Sequence, residues 1–256
     1  MIKLENYEVM GWGHAIRGMR NPMNSWAKSD SAFKETTMCD YLDENDKPAE
    51  MTVFFDALNI GPNDHELMMK LAKAGPVHGK FRRMITVYVD ITAPLYWWKE
   101  FDTYKVGTVA NSCSTMHKIH EKEFTLEDFS CEHLISDWNG DNNDAMYYWT
   151  SGVKDYQQMF ASPTDGLKLI IGLLNSNREA YLETKDKKYW WQMIQLLPSS
   201  YNQKRTVMLN YEVLANIYQY RKNHKLDEWV EFCKWIETLP YSEIITGKGE
   251  SECPNP

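Results

Sequence analysis

The stretch ITAPLYWWKEFDTYKVGTVANSCSTMH, residues 91–117, places three local patterns in a fixed order. It continues from residues 81–91, where apolar and polar side chains alternate, and this alternation predicts a strand with one buried face. A helix is predicted to begin at Ala93-Pro94, because proline suits the first turn of a helix. Small and polar residues over 107–115 then indicate a turn. The predicted fold is centred on this succession of strand, helix and turn.

Helices are predicted on both sides of this stretch, from apolar side chains at helical spacing and from capping residues. Residues 1–62 are expected to be partly irregular, above all 11–50, and residues 241–256 to form a tail. An acidic, Asn-rich loop is expected at 137–144. No repeat or linker divides the chain, so we predict a single domain over residues 1–256, of class α+β, with a small sheet flanked by several helices. The predicted helices run from the N-cap Asn63 to about Ala74, from the turn to about Leu134, and over 165–176, 187–197, 206–222 and 226–239.

Composition and charge exclude some classes of protein. The 256 residues carry 28 basic and 36 acidic side chains, a net charge of −8, whereas nucleic-acid polymers are bound by basic surfaces. A mononucleotide needs only a few local arginines, so this class of ligand stays open. The chain has no apolar run as long as a signal peptide or a membrane span, and its five widely spaced cysteines indicate reduced thiols. These features predict a soluble, cytoplasmic protein with no membrane partner.

Three segments resemble, in order, sequence patterns of the flavin-dependent thymidylate synthases. In NDHELMMKLAKAGPVHGKF, residues 63–81, a helix and a glycine precede a histidine two residues before an apolar strand, so His78 and Phe81 match the family. Residues 91–117 follow the family's strand, its Ala-Pro helix start and its Ser/Asn/Ser turn. In TVMLNYEVLANIYQYRKNH, residues 206–224, an asparagine and an arginine have the family's spacing.

The resemblance implies the fold of this family and its reaction, in which a methylene unit passes from a reduced folate to the uracil C5 of dUMP and a flavin delivers hydride. It implies FAD as the cofactor, with reduced folate and NADPH, and a homotetramer whose active sites lie between protomers. A homo-oligomer is also expected because the chain has 10 Trp and 15 Tyr, residue types that are enriched at interfaces. The leading hypothesis is a methyltransferase that binds a pyrimidine deoxynucleotide and alkylates its C5.

Most candidate site residues follow from matching positions to the family. Arg17 and Arg20, in IRGMRNPMNSW, are added from the residues alone, because two arginines in an irregular loop suit a phosphate. No residue is assigned as catalytic, since no motif indicates a nucleophile. The candidate substrate-binding residues are Arg221, Asn210, Ser114 (with one residue inserted), Glu100, Lys99, Arg17 and Arg20, and the candidate cofactor-binding residues are His78, Lys105, Tyr104 and Asn111.

The motif departs from the family at its basic positions. Thr103-Tyr104-Lys105 stands where the family has Arg-His-Arg, and Met116 stands at the final arginine. A lysine supplies charge but not the planar fork of a guanidinium, so this segment is predicted to hold a flavin more weakly. The alternative hypothesis is a family member without flavin chemistry that acts as a nucleotide-binding or protein-interaction module. A third is a different nucleotide enzyme on the same scaffold.

The candidates also have purely structural interpretations. Arg221 suits a solvated position near a helix C-terminus, the Arg17/Arg20 pair suits a salt-bridged loop, and His78 suits a packed position at a strand entrance. No metal site is predicted, because no recognised ligand spacing unites the cysteines and histidines between residues 113 and 133. The pairs Trp97-Trp98 and Trp190-Trp191 suit either stacking on a planar ligand or packing in a core.

Overall fold

A computed structural model gives the fold and describes residues 2–33, 36–42, 48–53, 58–136, 146–148 and 159–248. The predicted loop at 137–144 lies outside these residues. In the described residues, the helices accompany one four-stranded sheet and separate two-stranded antiparallel pairs, which confirms the α+β class. The helices are α1 Trp12–Arg20, α2 Pro62–Lys73, α3 Leu95–Phe101, α4 Pro163–Thr184, α5 Lys187–Leu196, α6 Tyr211–Arg221, α7 Asp227–Glu237 and α8 Glu243–Thr246. The strands are β1 Lys3–Met10, β2 Ala32–Phe33, β3 Thr36–Leu42, β4 Pro48–Val53, β5 Leu58–Asn59, β6 Thr86–Pro94, β7 Val109–Ser112, β8 Met146–Tyr148, β9 Met159–Ala161 and β10 Asn202–Asn210.

Four strands form the main sheet, in the order β1-β6-β10-β7, and the smaller antiparallel pairs are β2 with β5, β3 with β4, and β8 with β9. By its packing the chain divides into two units, and each strand of the main sheet has residues in both. The single domain predicted over 1–256 stays a prediction. The first unit comprises Met1–Lys3, Ile91–Thr103 and Asn111–Arg205, and the second comprises Leu4–Asp90, Tyr104–Ala110 and Thr206–Pro256.

The core of the first unit is rich in aromatic side chains. Trp97, Trp98 and Phe101 of α3 contact one another at ring-centroid distances of 4.9, 5.0 and 5.3 Å, and both tryptophans are fully buried. The Trp98 indole donates a hydrogen bond to the Gln203 carbonyl oxygen at 2.9 Å, and the Arg205 guanidinium lies 4.2 Å from the centre of the Trp98 ring. This tryptophan pair is therefore core. A second cluster of buried side chains consists of Ile119, Phe124, Phe129, Leu167, Leu174 and Met193.

The core of the second unit packs its helices against one another. Trp12 of α1 lies edge-to-face against Tyr211 at 5.3 Å, and the Tyr211 hydroxyl donates a hydrogen bond to the Pro240 carbonyl oxygen at 2.6 Å. Ile244 and Ile245 of α8 are buried. The part of the predicted tail that the structure describes is therefore folded.

The strand predicted at residues 81–91 begins later than its sequence pattern indicates. Residues Gly79–Met84 form a 3-10 helix, and β6 starts at Thr86. Inside β6 the alternation holds, since Val87 is buried and Tyr88 is exposed. Upstream of β6 it fails, because the consecutive residues Phe81 and Arg82 are both buried, which a period of two residues does not allow.

The helix predicted at 206–222 is wrong in its first part. β10 extends to Asn210, with Val207 and Leu209 buried, and α6 begins at Tyr211. The change occurs at Asn210, whose side-chain oxygen accepts hydrogen bonds from the backbone N–H groups of Glu212 at 3.1 Å and Val213 at 3.0 Å. Such a side chain ends the extended strand and caps the helix that follows it.

Two other segments also differ from the prediction. The region 11–50, expected to be irregular, contains α1, whose buried residues Trp12, Ala15, Ile16 and Met19 have the spacing of one helical face. The helical stretch expected up to Leu134 contains only the short 3-10 helix Leu126–Asp128. The sequence did not predict α1 because three glycines lie in and beside it, and glycine has a low helix propensity.

The remaining helix predictions are confirmed, with changed ends. α2 begins at Pro62 with Gly61 as its N-cap, rather than after Asn63, and α4 is longer than the predicted 165–176. α3 begins at Leu95, slightly later than predicted, because Ala93 and Pro94 end β6 and Pro94 is the N-cap of the helix. The helices predicted at 187–197 and 226–239 correspond to α5 and α7.

Candidate functional site

An open cavity of ≈ 770 Å³ lies in the second unit at the start of α1, and we call it the α1 cavity. Its volume is within the range of small-molecule sites. Among the described residues that line it are two arginines and no carboxylate, together with apolar and hydroxyl side chains. The lining residues that bear on its chemistry are Gly11, His14, Arg17, Arg20, Trp26 and Met84.

Arg17 is the most accessible cation of this cavity. Its side chain is exposed, and its terminal amino group lies 3.0 Å from His14 Nδ1. A guanidinium can only donate, so His14 Nδ1 is the acceptor of this hydrogen bond. Within the described ranges, no carboxylate contacts Arg17. Its positive charge is therefore available to an anion that enters the cavity.

The start of α1 adds backbone donors to this wall. Gly11 is the N-cap with φ of 95°, and a Cβ there would collide with the Met84 carbonyl oxygen, so this position requires glycine. No side chain caps the helix. The first N–H groups of a helix have no partner inside the helix, and they favour anions.

Arg20 differs from Arg17 although both line the cavity. It is buried, and its Nε donates to Asp64 Oδ1 at 2.6 Å. The other carboxylate oxygen of Asp64 accepts from the hydroxyl groups of Ser29 and Ser31, each at 2.7 Å, and from two backbone N–H groups. Asp64 of α2 therefore holds both Arg20 and the loop of residues 29–31, so the charge of Arg20 is paired, whereas no described carboxylate contacts Arg17.

A second cationic group surrounds Arg221, at the end of α6. Its Nε donates to the Tyr104 hydroxyl at 3.1 Å, and its guanidinium lies 4.8 Å from the centre of the Trp229 ring. One terminal amino group donates to His224 Nε2 at 2.9 Å, while the backbone N–H of Leu226 points to His224 Nδ1 at 3.2 Å. A neutral imidazole accepts at one nitrogen only. In one neutral tautomer of His224, only one of these two donors can therefore be accepted.

The structure brings the second and third sequence segments together at this place. Tyr104 contacts Arg221, and a Cβ on Gly107 would lie 2.8 Å from the Asn210 amide nitrogen. Asn210 itself caps α6, so its side-chain oxygen is already engaged with the backbone. Lys105 is exposed beside this group.

The other candidates from the sequence are not joined to these groups by any contact that the structure gives. Lys99 is exposed in the last turn of α3 and Glu100 is half-buried. Asn111 is exposed on β7, and the Ser114 hydroxyl accepts from the backbone N–H groups of Met116 and His117. Their proposed roles in substrate or cofactor binding stay predictions.

The match of His78 to the family changes with the strand. The match places His78 just before a strand that starts at Phe81, but β6 starts at Thr86, eight positions after His78. His78 is exposed and precedes the 3-10 helix Gly79–Met84. Met84, and not His78, lines the α1 cavity.

Of the residues that line the α1 cavity, the sequence predicted only Arg17 and Arg20 as site residues, and it missed Gly11, His14 and Trp26 among others. A signal for two of them was present: a helical face over residues 12–19 follows directly after Gly11 and places His14 one turn before Arg17. Trp26 is exposed, and its indole donates to the Asn21 side-chain oxygen at 2.8 Å. No sequence pattern connects Trp26 with the cavity.

The segment Thr103-Tyr104-Lys105 does not fit a flavin held in the family's manner. The Thr103 hydroxyl donates to the Glu100 carbonyl oxygen at 2.7 Å, and the Tyr104 hydroxyl accepts from Arg221. Lys105 is the one cation of the triplet. A single ammonium group cannot supply the bidentate contacts that guanidinium groups make with a diphosphate.

Several further expectations concern metals, tryptophans and membranes. In the part of the chain that the structure describes, no group of three or more His, Cys, Asp or Glu side chains could hold a metal ion. Trp191 is exposed, whereas Trp190 donates to the Met116 carbonyl oxygen at 3.0 Å. No helix of the described chain has the length and apolar character needed to cross a membrane.

The fold has counterparts among solved structures. The flavin-dependent thymidylate synthase ThyX from Helicobacter pylori, complexed with FAD and dUMP, superposes with a TM-score of 0.57 and 13% identity over 96% of each chain. The UMP/dUMP methylase PolB from Streptomyces cacaoi, bound with 5-Br UMP, gives a TM-score of 0.53 and 11% identity over 96% of this chain and 94% of PolB. No protein-family model matches the sequence, and no curated protein matches it. The fold expected from the sequence resemblance is confirmed.

Proposed function

We propose that this protein binds a pyrimidine mononucleotide in the α1 cavity, with the phosphate on Arg17. The observation that carries the proposal is the exposed Arg17 guanidinium in a cavity of ≈ 770 Å³ whose described lining residues include no carboxylate. The uncapped start of α1 adds backbone donors of the kind that bind phosphates. Solved structures with this fold hold dUMP or 5-Br UMP, which supports a uracil nucleotide as the ligand.

Arg221 is proposed as a second contact of the nucleotide. It stands at the position of the family's nucleotide-binding arginine, and its guanidinium is held by the Tyr104 hydroxyl and the Trp229 ring. Because the resemblance implies active sites between protomers, Arg221 and the α1 cavity of one chain need not serve the same nucleotide. Asn210 supports this position by fixing the start of α6.

The proposed reaction is alkylation of the uracil C5 with a one-carbon unit from a reduced folate. This reaction would require a flavin to supply the hydride. Because Thr103-Tyr104-Lys105 is predicted to hold a flavin weakly, the flavin would bind from solution and would not remain with the purified protein. The chain's own residues would bind and orient the nucleotide. One observation favours a second candidate function, namely nucleotide binding without flavin chemistry. The Thr103-Tyr104-Lys105 segment lacks arginines, and its tyrosine is engaged with Arg221.

Substitutions of the two arginines test the site. We expect Arg17→Ala and Arg221→Ala each to weaken dUMP binding by about 1.5–3 kcal/mol, the range for a hydrogen bond to a charged group. Arg17→Lys and Arg221→Lys should each recover part of the loss, because the charge returns without the fork. Isothermal calorimetry measures these affinities, with the neighbouring exposed Tyr220→Ala as the control. Equal affinity in wild type and Arg17→Ala would remove Arg17 from the site.

A homotetramer is the proposed assembly. On α4 the side chains of Leu169, Leu173 and Leu182 are 52%, 45% and 37% exposed, and an interface would remove such apolar area from water. We expect light scattering at micromolar concentration to give four times the 30.1 kDa mass of one chain. A mass of 30.1 kDa at that concentration would contradict this assembly and any site shared between protomers.

A further inference from the structure

A second cavity of the second unit, of ≈ 310 Å³, has a cationic wall, and we call it the Arg82 cavity. Residues from the end of α2, from α6 and from α8 line this cavity. It shares no lining residue with the α1 cavity. Lys73, Arg82 and Lys222 line it, with Glu243 as the one carboxylate among the described lining residues. The whole chain has a net charge of −8, so the positive charge of this wall is confined to a small part of its surface.

Arg82 is the buried cation of this wall. Arg82 is 9% exposed, and its Nε donates a hydrogen bond to the Gly79 carbonyl oxygen at 3.3 Å. Within the described ranges its terminal amino groups have no hydrogen-bond partner. Burial lowers the pKa of Arg82, and the nearby Glu212 charge opposes this effect in part. A buried guanidinium with so few acceptors gains from an added anion.

The negative groups around Arg82 are already engaged elsewhere. Both carboxylate oxygens of Glu212 accept hydrogen bonds from Arg83, which is exposed. Glu243 pairs with His65 Nε2 at 2.6 Å. The Gly75 carbonyl oxygen at the end of α2 accepts from the N–H groups of His78 and Gly79. Among the residues that the structure describes, no carboxylate therefore contacts the Arg82 guanidinium.

We propose that the Arg82 cavity binds the phosphate group of a small molecule, with Arg82 as the main contact and Lys73 and Lys222 as supporting charges. A planar guanidinium contacts two phosphate oxygens at once, and the two ammonium groups balance the remaining charge of a dianion. A carboxylate ligand carries only one negative charge and would neutralise less of the positive charge of this wall. The volume accommodates inorganic phosphate or a small phosphate monoester, and both present the same chemical group.

Calorimetric titration of the full chain in a buffer free of phosphate tests the proposal. We expect inorganic phosphate to bind wild type saturably, and Arg82→Gln to weaken this binding at least about tenfold, as the loss of a charge-assisted hydrogen bond implies. Lys222→Gln, an exposed change that leaves the core untouched, should weaken it several-fold. Lys80→Gln is the matched control, because Lys80 is exposed on the same 3-10 helix and lines neither cavity.

The Arg17→Ala variant separates this site from the proposed nucleotide site. The affinity of the Arg82 cavity for inorganic phosphate should be unchanged in Arg17→Ala. If Arg17→Ala instead loses the phosphate binding seen in wild type, that binding belongs to the α1 cavity and the proposal is overturned. Unchanged phosphate affinity in both Arg82→Gln and Lys222→Gln, or no saturable binding by wild type, would also overturn it. Ribose 5-phosphate titrated in parallel identifies the source of the group, since tighter binding than inorganic phosphate indicates a monoester and equal binding indicates the free ion.

Discussion

The purified protein is expected to show no flavin absorption band. Arg-His-Arg in the family is replaced by Thr103-Tyr104-Lys105 in this chain, and the Tyr104 hydroxyl is bound to Arg221. If only these contacts differ, two charge-assisted hydrogen bonds are lost at about 1.5–3 kcal/mol each, which weakens flavin binding by about two or more orders of magnitude. Absorbance of the purified protein, followed by titration with FAD, measures this directly. Stoichiometric flavin in the wild-type protein would contradict the expectation.

Restoring the basic triplet should recover flavin binding. The variant carries Thr103→Arg, Tyr104→His and Lys105→Arg together. Its matched control carries Thr103→Gln, Tyr104→His and Lys105→Gln, which loses the same tyrosine contact but adds no guanidinium. We expect FAD to bind the arginine variant more tightly than the glutamine variant. Equal weak binding by both would show that the flavin pocket itself is missing, and it would favour the nucleotide-binding module without flavin chemistry.

Asp64→Ala is expected to destabilise the fold far more than a substitution on the surface of the same helix. Asp64 is fully buried, and its carboxylate holds Arg20 and the loop of residues 29–31. Removing one partner of a buried ion pair costs about 3–5 kcal/mol, because the remaining charge is left uncompensated. Glu66→Ala, on the exposed side of α2, should change the free energy of unfolding by no more than about 0.5 kcal/mol. Urea unfolding compares the two variants, and equal losses would refute the anchoring role.

The same carboxylate should make stability depend on pH in acid. Burial raises the pKa of Asp64, but hydrogen bonds from Ser29 and Ser31 and the charge of Arg20 outweigh burial, so the pKa lies below its ordinary value of 3.8. A carboxyl group whose pKa is lower in the folded than in the unfolded protein stabilises the fold at pH values above the unfolded-state pKa. This stabilisation is lost as the pH falls through the folded-state pKa. We expect the stability difference between wild type and Asp64→Asn to narrow below a pH of about 4. A difference that is constant from pH 7 to about pH 2 would contradict this assignment.

Elements with a clear local pattern were predictable from the sequence. The presence of a helix directly after Pro94, and of α5 and α7, depends on proline position, capping and apolar spacing, all of which are local. The strand β10 was missed because Val207 and Leu209 also fit a helical pattern, and only the capping side chain of Asn210 separates strand from helix. An asparagine in the middle of an apolar run is ambiguous until its hydrogen bonds are known.

The candidate site was predictable in part. Family spacing indicated Arg221, and two arginines in an expected loop indicated Arg17 and Arg20, but no local pattern distinguishes these two from each other. Their difference arises from Asp64, which is 44 residues away from Arg20 in the chain. Arg82 was not among the candidate substrate-binding or cofactor-binding residues. Glu212 does not bond to Arg82 because both of its carboxylate oxygens accept from Arg83, and the sequence does not show this pairing. Contacts of this range are set by tertiary packing and leave no periodic signal in the sequence.

Titration of the wild-type protein with dUMP is the most direct test of the central claim that the chain binds a pyrimidine mononucleotide. Calorimetry should detect saturable binding of one dUMP per chain, with UMP binding at the same site and deoxyuridine binding at least about tenfold more weakly, because the nucleoside lacks the phosphate that contacts Arg17. Repeating the titration with Arg17→Ala should remove most of the difference between nucleotide and nucleoside. No saturable heat with dUMP at millimolar concentration, or equal affinity for dUMP and deoxyuridine in the wild-type protein, would contradict the claim.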